Sequence, residues 1–104
     1  MFHILYHPDV VRRDLPGLNR DVKDRLKTAI ENRLTSAPQD YGKPLRGALR
    51  SVWSLRVGDY RVVYLIEGDK VRILQVAHRR DAYEAGILEA RRRGWLWNRG
   101  DYSG

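Results

Sequence analysis

Seven side chains carry the chemistry this sequence offers. Arg56, Arg61, Arg72 and His78 lie in a stretch that alternates apolar and polar residues, and Arg79, Arg80 and Tyr83 follow it directly. Arginine presents a planar fork of N–H donors that matches phosphate oxygens. Histidine moves protons near neutral pH, and tyrosine stacks on a nucleobase. Together these side chains suit metal-free cleavage of RNA. In that chemistry a ribose 2′-hydroxyl attacks the adjacent phosphate, arginines hold the developing negative charge, and an acid protonates the leaving oxygen. DNA lacks the 2′-hydroxyl and is spared.

Such a set works only if the backbone gathers it, and two short turns predict that it does. Gly58-Asp59 and Gly68-Asp69 separate three strand-like runs, Val52 to Val57, Tyr60 to Glu67 and Lys70 to His78, as two-residue hairpin turns do. With Gly58-Asp59 as a tight turn, Val57 faces Tyr60 and Arg56 faces Arg61. Trp53, Leu55, Val57, Tyr60, Val62, Tyr64 and Ile66 then share the core face. Opposed like charges are destabilising, so the Arg56–Arg61 pair calls for an anionic ligand. Carried through the second turn, the same count sets Arg61 opposite Val76 and Leu65 opposite Arg72. It places His78 on the arginine face with Val63, Leu65, Leu74 and Val76, an open apolar surface beside the charges.

Ahead of the meander, Phe2 to Tyr6 reads as an opening strand, stopped by His7-Pro8. A short helix follows with Val10, Val11 and Leu15 inward, broken at Pro16-Gly17. Asn19 is the predicted N-cap of a longer helix whose apolar stripe is Val22, Leu26, Ala29, Ile30 and Leu34, ending before Pro38. Residues 39–50 read as a basic, turn-rich loop. The pattern is an α+β domain: an N-terminal strand, two helices, a three-strand antiparallel meander and a C-terminal helical segment.

The 104 residues fit one domain. The net charge of +7 is concentrated in residues 41–80, where nine basic and three acidic side chains leave +6. A basic centre favours a polyanionic partner, either nucleic acid or an acidic protein. The absence of cysteine excludes disulfides, thiolate metal sites and cysteine nucleophiles. His3, His7 and His78 are too scattered to form a metal site, and His3 and His7 read as surface residues. There is no Gly-rich phosphate loop and no serine at a nucleophile elbow. No cofactor is expected. Without a signal peptide or a long apolar run, the expected location is the cytoplasm.

Three segments carry a family likeness: Pro44-Leu45-Arg46-Gly47, then Trp53-Ser54-Leu55-Arg56-Val57-Gly58-Asp59-Tyr60-Arg61-Val62-Val63-Tyr64, then His78-Arg79-Arg80-Asp81-Ala82-Tyr83. They resemble the RelE/ParE superfamily of bacterial toxins, across about residues 2–90. RelE-like members are ribosome-dependent endoribonucleases that cut mRNA, ParE-like members act on DNA gyrase, and both are silenced by a co-encoded antitoxin. The resemblance implies that Arg61 contacts the scissile phosphate. It implies that Arg79 or Arg80 stabilises charge or protonates the leaving group, and that Tyr83 stacks on the substrate base. Arg56, with Arg46 and Arg72, is placed as a further phosphate contact, and His78 as acid or base. The sequence departs from the pattern at Val52 and Ser54, where some RelE members carry lysines.

The resulting expectation is a type II toxin that cleaves ribosome-bound mRNA and is held by an acidic antitoxin. A ParE-like gyrase inhibitor and a non-catalytic binding module on the same fold stay open as alternatives. Residues 91–104, with Arg91-Arg92-Arg93, Trp95 and Trp97, read as an extension beyond the 1–90 domain, packed on it or on a partner.

Overall fold

A computed structural model of the chain describes residues 1–44, 52–81, 89–90 and 92–93. Gly58 and Gly68 both take a φ of +59°, and no non-glycine residue among those described has a positive φ. Glycine adopts that conformation without a Cβ clash. Its position at the first turn residue alone gives the II′ hairpin geometry, which matches the twist of the flanking strands. Strand β3 (Val52–Val57) therefore turns directly into β4 (Tyr60–Glu67), and β4 into β5 (Lys70–His78). Arg56 faces Arg61 and Val57 faces Tyr60, the register expected from the turn.

Two further strands complete a five-stranded sheet of order β1-β5-β4-β3-β2. Strand β1 (His3–Tyr6) runs parallel to β5 at one edge. At the other edge lies β2 (Lys43–Pro44), antiparallel to β3 with Lys43 opposite Ser54. Proline is tolerated there because an outer edge needs no N–H donor. The stretch read as loop contains regular structure: helix α2 (Pro38–Tyr41) precedes β2. Only residues 45–50 of that stretch lie outside the described part of the chain.

The second hairpin keeps its expected register from Glu67–Lys70 to Tyr64–Ile73 and then slips. A bulge leaves Val63 opposite Gln75, so one extra residue is accommodated in β5. Beyond it every side chain of β5 changes face. Ile73 and Val76, three apart, lie in the same core, while Leu74 lies in the core on the opposite face. Arg61 consequently faces Ala77 rather than Val76, and His78 faces Tyr60. The placement of His78 and Val76 on the arginine face is corrected by this bulge.

One sheet face is covered by α1 (Arg20–Ala29), which Asn19 caps by accepting the Val22 N–H at 2.9 Å. The helix continues as a π-helical turn, Ile30–Leu34. Its stripe, Leu26, Ile30 and Leu34, packs against Leu55, Val62, Tyr64, Ile73 and Val76. The short segment before it, Val10–Asp14, is also a π-helical turn. Val10 is fully buried, but Val11 is 56% exposed and does not point inward. A single turn turns only one of two adjacent residues to the core. Tyr64, fully buried, donates its hydroxyl to the Pro38 carbonyl at 2.6 Å. A Cβ added to Gly42 would stand 1.8 Å from that hydroxyl oxygen, so only glycine fits.

The other face is not an open apolar surface at its centre. Val52, Val63, Leu65 and Leu74 are each 5% exposed or less and pack with Ala90. Glu89, Ala90, Arg92 and Arg93 have helical backbone, which agrees with a C-terminal helical segment. That segment is clamped to the sheet. Arg93, only 3% exposed, gives Asp14 two hydrogen bonds, at 2.7 and 3.2 Å, and donates to the Leu74 carbonyl at 3.1 Å. Asp14 in turn accepts the Val76 N–H at 2.9 Å. The bulge frees backbone groups where β1 no longer pairs with β5, and this ion pair satisfies them.

Candidate functional site

The hairpin places Arg56 and Arg61 side by side on the face away from α1, Arg56 exposed and Arg61 half-buried. Directly opposed residues have Cβ atoms about 4.5–5.5 Å apart, and an opposed like-charge pair is unfavourable by some tenths of a kcal/mol. Arg56 folds over the turn, its Nε donating to the Gly58 carbonyl at 3.2 Å. Arg79 is brought to the same end of the sheet. Its N–H donates to the Asp59 carbonyl at 2.7 Å, and its side chain pairs loosely with the Asp59 carboxylate at 3.9 Å.

Arg72 stands apart from this group. It faces Leu65, four residues along β4 from Arg61, a distance of about 13 Å at 3.3 Å per residue. Its Nε also donates to Glu67 at 2.6 Å, which offsets its charge. The arginine cluster is therefore Arg56, Arg61 and Arg79 at the β3–β4 turn. Arg46 and Tyr83 lie outside the described residues, as do Trp95 and Trp97.

His78 has a positioning geometry. Its ring packs edge-on against Tyr60, centroids 5.2 Å apart, on the face opposite Arg61. Its Nδ1 accepts the Arg80 backbone N–H at 3.2 Å and the Arg80 Nε–H at 3.3 Å. The side chain thus fixes the turn that carries Arg79 and Arg80. His7, expected at the surface, is fully buried, with Nδ1 accepting the Asp9 N–H at 3.0 Å. Burial, more than any neighbour, lowers its affinity for a proton. Among the described residues no cluster of three or more His, Asp or Glu could hold a metal ion.

Two features escape a reading of the sequence. Lys43 is the cross-strand partner of Ser54 and so lies on the arginine face, one row from Arg56. It brings an exposed ammonium to the neighbourhood where Val52 and Ser54 supply none. The only signal in the sequence is a lysine before a proline in a basic stretch. The second feature is the ion cluster beside the bulge of β5, at Leu74 and Val76. Glu89 accepts from Arg92 at 2.7 and 3.0 Å and from Arg93 at 3.2 Å. The Arg92 hydrogen bond, above all, holds its carboxyl down at about 2.

A strand, a basic antiparallel meander, α1 on one sheet face and a C-terminal helical segment on the other define a small α+β toxin fold. The family described as ParE toxin of type II toxin-antitoxin systems, parDE, matches residues 4–83. Toxin RelE of Mycobacterium tuberculosis is 37% identical over 73 residues, 68% of this chain and 75% of that protein. Toxin RelG of the same organism is 38% identical over 74 residues, 69% of this chain and 85% of its own. The crystal structure of the toxin–antitoxin complex RelBE2 from M. tuberculosis contains a chain that superposes with a TM-score of 0.69 at 32% identity, covering 75% of this chain and 98% of that one. The chain belongs to the RelE/ParE superfamily of type II toxin–antitoxin toxins.

Proposed function

We propose that this toxin is an endoribonuclease that cuts mRNA on the ribosome, acts in the cytoplasm, and is silenced by a cognate acidic antitoxin. The observation that carries the reading is the opposed Arg56–Arg61 pair, with Arg79 at the same turn. A phosphate between two juxtaposed guanidinium groups offsets their mutual repulsion. A phosphate in flight to a pentacoordinate transition state gains charge that such donors stabilise preferentially.

In the proposed step the 2′-hydroxyl oxygen forms a bond to phosphorus and the P–O5′ bond breaks. The 2′-hydroxyl proton leaves to a base, and the 5′ oxygen takes a proton from an acid. Arg61 and Arg56 hold the non-bridging oxygens. Lys43, on the same face, offers N–H protons to the leaving oxygen, a role for which His78 is badly placed. His78 acts instead through Arg80, and Tyr83 stacks on a neighbouring base. The antitoxin reading is supported by the RelBE2 complex, whose toxin chain this one resembles, and by the net charge of +7.

The match to the ParE family favours a second reading, inhibition of DNA gyrase without cleavage by the toxin itself. Induced expression separates the two. Mapping of mRNA 5′ ends would reveal new cuts inside coding regions under the first reading. A supercoiling assay with purified gyrase would reveal inhibition under the second.

A further inference from the structure

Beside the arginine cluster lies an open cleft of about 750 Å³ between α1 with its π-helical continuation and the β3–β4 turn. Among the described residues, β2 lies alongside β3 at Trp53 and Ser54. Past Ser54 the outer edge of β3 faces the helix across a gap. Arg25, Thr28, Asn32 and Arg33 line the helical wall on successive turns, and Arg56 and Gly58 line the other. Nη2 of Arg25 lies close to Gly58, 3.5 Å from where a Cβ would stand. The Arg33 guanidinium sits 5.9 Å above the Tyr41 ring.

Among the described residues, none of Arg25, Arg33 and Arg56 forms an ion pair. Asp24 is the one carboxylate among the described residues of the cleft wall, so three cations against one anion leave +2. Arg56 belongs to both regions, since it lines the cleft and stands opposite Arg61. The positive surface is therefore continuous from Arg61 round the edge of the sheet to Arg33.

We propose that this cleft is a second phosphodiester site, in which Arg25, Arg33 and Arg56 hold the backbone of the RNA strand whose neighbouring phosphate lies at Arg61. The inference rests on the RNA-directed reading of the arginine face. Its wall chemistry favours a sugar–phosphate backbone over a protein segment. Arginine forks match phosphate oxygens, and the Thr28 hydroxyl and Asn32 amide offer further hydrogen bonds to ribose or phosphate. An amphipathic antitoxin helix needs an apolar seat, and the described residues of this cleft give it only Ala29 and Val57.

The test titrates a short fluorescein-labelled single-stranded RNA against the whole protein over a range of salt. It compares the wild type with Arg25→Gln/Arg33→Gln and with Arg25→Lys/Arg33→Lys. Each lost phosphate contact on a single strand lowers the salt slope by about 0.7. The Gln pair should lower it by about 1.4, so the affinity lost between about 50 and 200 mM salt becomes about 7-fold smaller. The Lys pair, which keeps the charge, should retain the slope. Amide NMR with the same RNA should move Thr28, Asn32 and Gly58 together with Arg61.

Unchanged slope in the Gln pair, or RNA shifts confined to the arginine face, would overturn the site while leaving the nuclease reading intact. Shifts of the cleft amides by a poly-glutamate peptide but not by RNA would assign the cleft to a protein partner and also overturn it. RNA bound in the cleft by a wild-type toxin that never cleaves would sustain this inference and sink the nuclease.

Discussion

Replacing Arg93 by methionine should cost this domain a large part of its stability. The guanidinium is 3% exposed, holds both oxygens of Asp14, and donates to the Leu74 carbonyl at the bulge. Methionine fills most of the space but leaves the Asp14 carboxylate, 11% exposed, with the Val76 N–H as its remaining hydrogen bond in this group. Breaking one side of a buried pair costs about 3–5 kcal/mol, against a total of about 5–15 kcal/mol for a domain. At about 4–8 °C per kcal/mol, the melting temperature should fall by about 12 °C or more. Urea unfolding should show a lower midpoint at unchanged slope. The double variant Asp14→Asn/Arg93→Met removes the stranded charge while its amide oxygen can still take the Val76 N–H. It should recover about 1–3 kcal/mol relative to the sum of the single losses. If Arg93→Met lies within about 0.5 kcal/mol of wild type, the clamp at the bulge does not hold the C-terminal segment as described.

Three further outcomes follow from the same geometry. Gly42→Ala should destabilise by about 1–3 kcal/mol, read by thermal melting, because the new methyl would overlap the Tyr64 hydroxyl. Acid should weaken the fold through Glu89. Its folded value of about 2 lies below the ordinary 4.5, so the unfolded chain binds the proton first. The stabilisation is complete above 4.5 and is lost as pH falls toward 2. Glu89→Gln should flatten that part of the stability–pH curve measured by urea unfolding, and an unaltered curve would remove Glu89 as its cause. Lys43→Ala should slow mRNA cleavage about 10²-fold if Lys43 is the proton donor, with melting unchanged because the side chain is exposed. A wild-type rate would take Lys43 out of the reaction.

Much of the fold is legible because local chemistry dictates it. Gly58 and Gly68 announce the two turns, and a two-residue turn fixes the register next to it, hence the Arg56–Arg61 pair. The Asn19 cap and the stripe from Leu26 to Leu34 follow from side-chain spacing alone. The bulge does not, because Leu74 and Gln75 look like any strand residues and the slip is satisfied from elsewhere. Its backbone partners are Asp14 and Arg93, the first 62 residues from Val76 and the second 19 residues from Leu74. A period-2 count carried past such a point reverses every face, which is why His78 reads as a neighbour of Arg61 and lies against Tyr60 instead. Lys43 stays hidden for a related reason. A two-residue strand has no periodicity, and only pairing with β3 brings the lysine to the arginine face. Burial of Arg93 is unreadable for lack of local signal, since an Arg-Arg-Arg run at a chain end looks solvated.

Cleavage through Arg61 can be read on purified ribosomes programmed with a defined mRNA, comparing the wild-type toxin with Arg61→Ala and mapping the 5′ ends produced. The wild type should cut, and Arg61→Ala should cut at a rate about 10²-fold lower, with the variant folded because Arg61 points away from the α1-covered core. Intact mRNA in both reactions, together with inhibition of gyrase supercoiling by the wild-type protein, would contradict the nuclease reading.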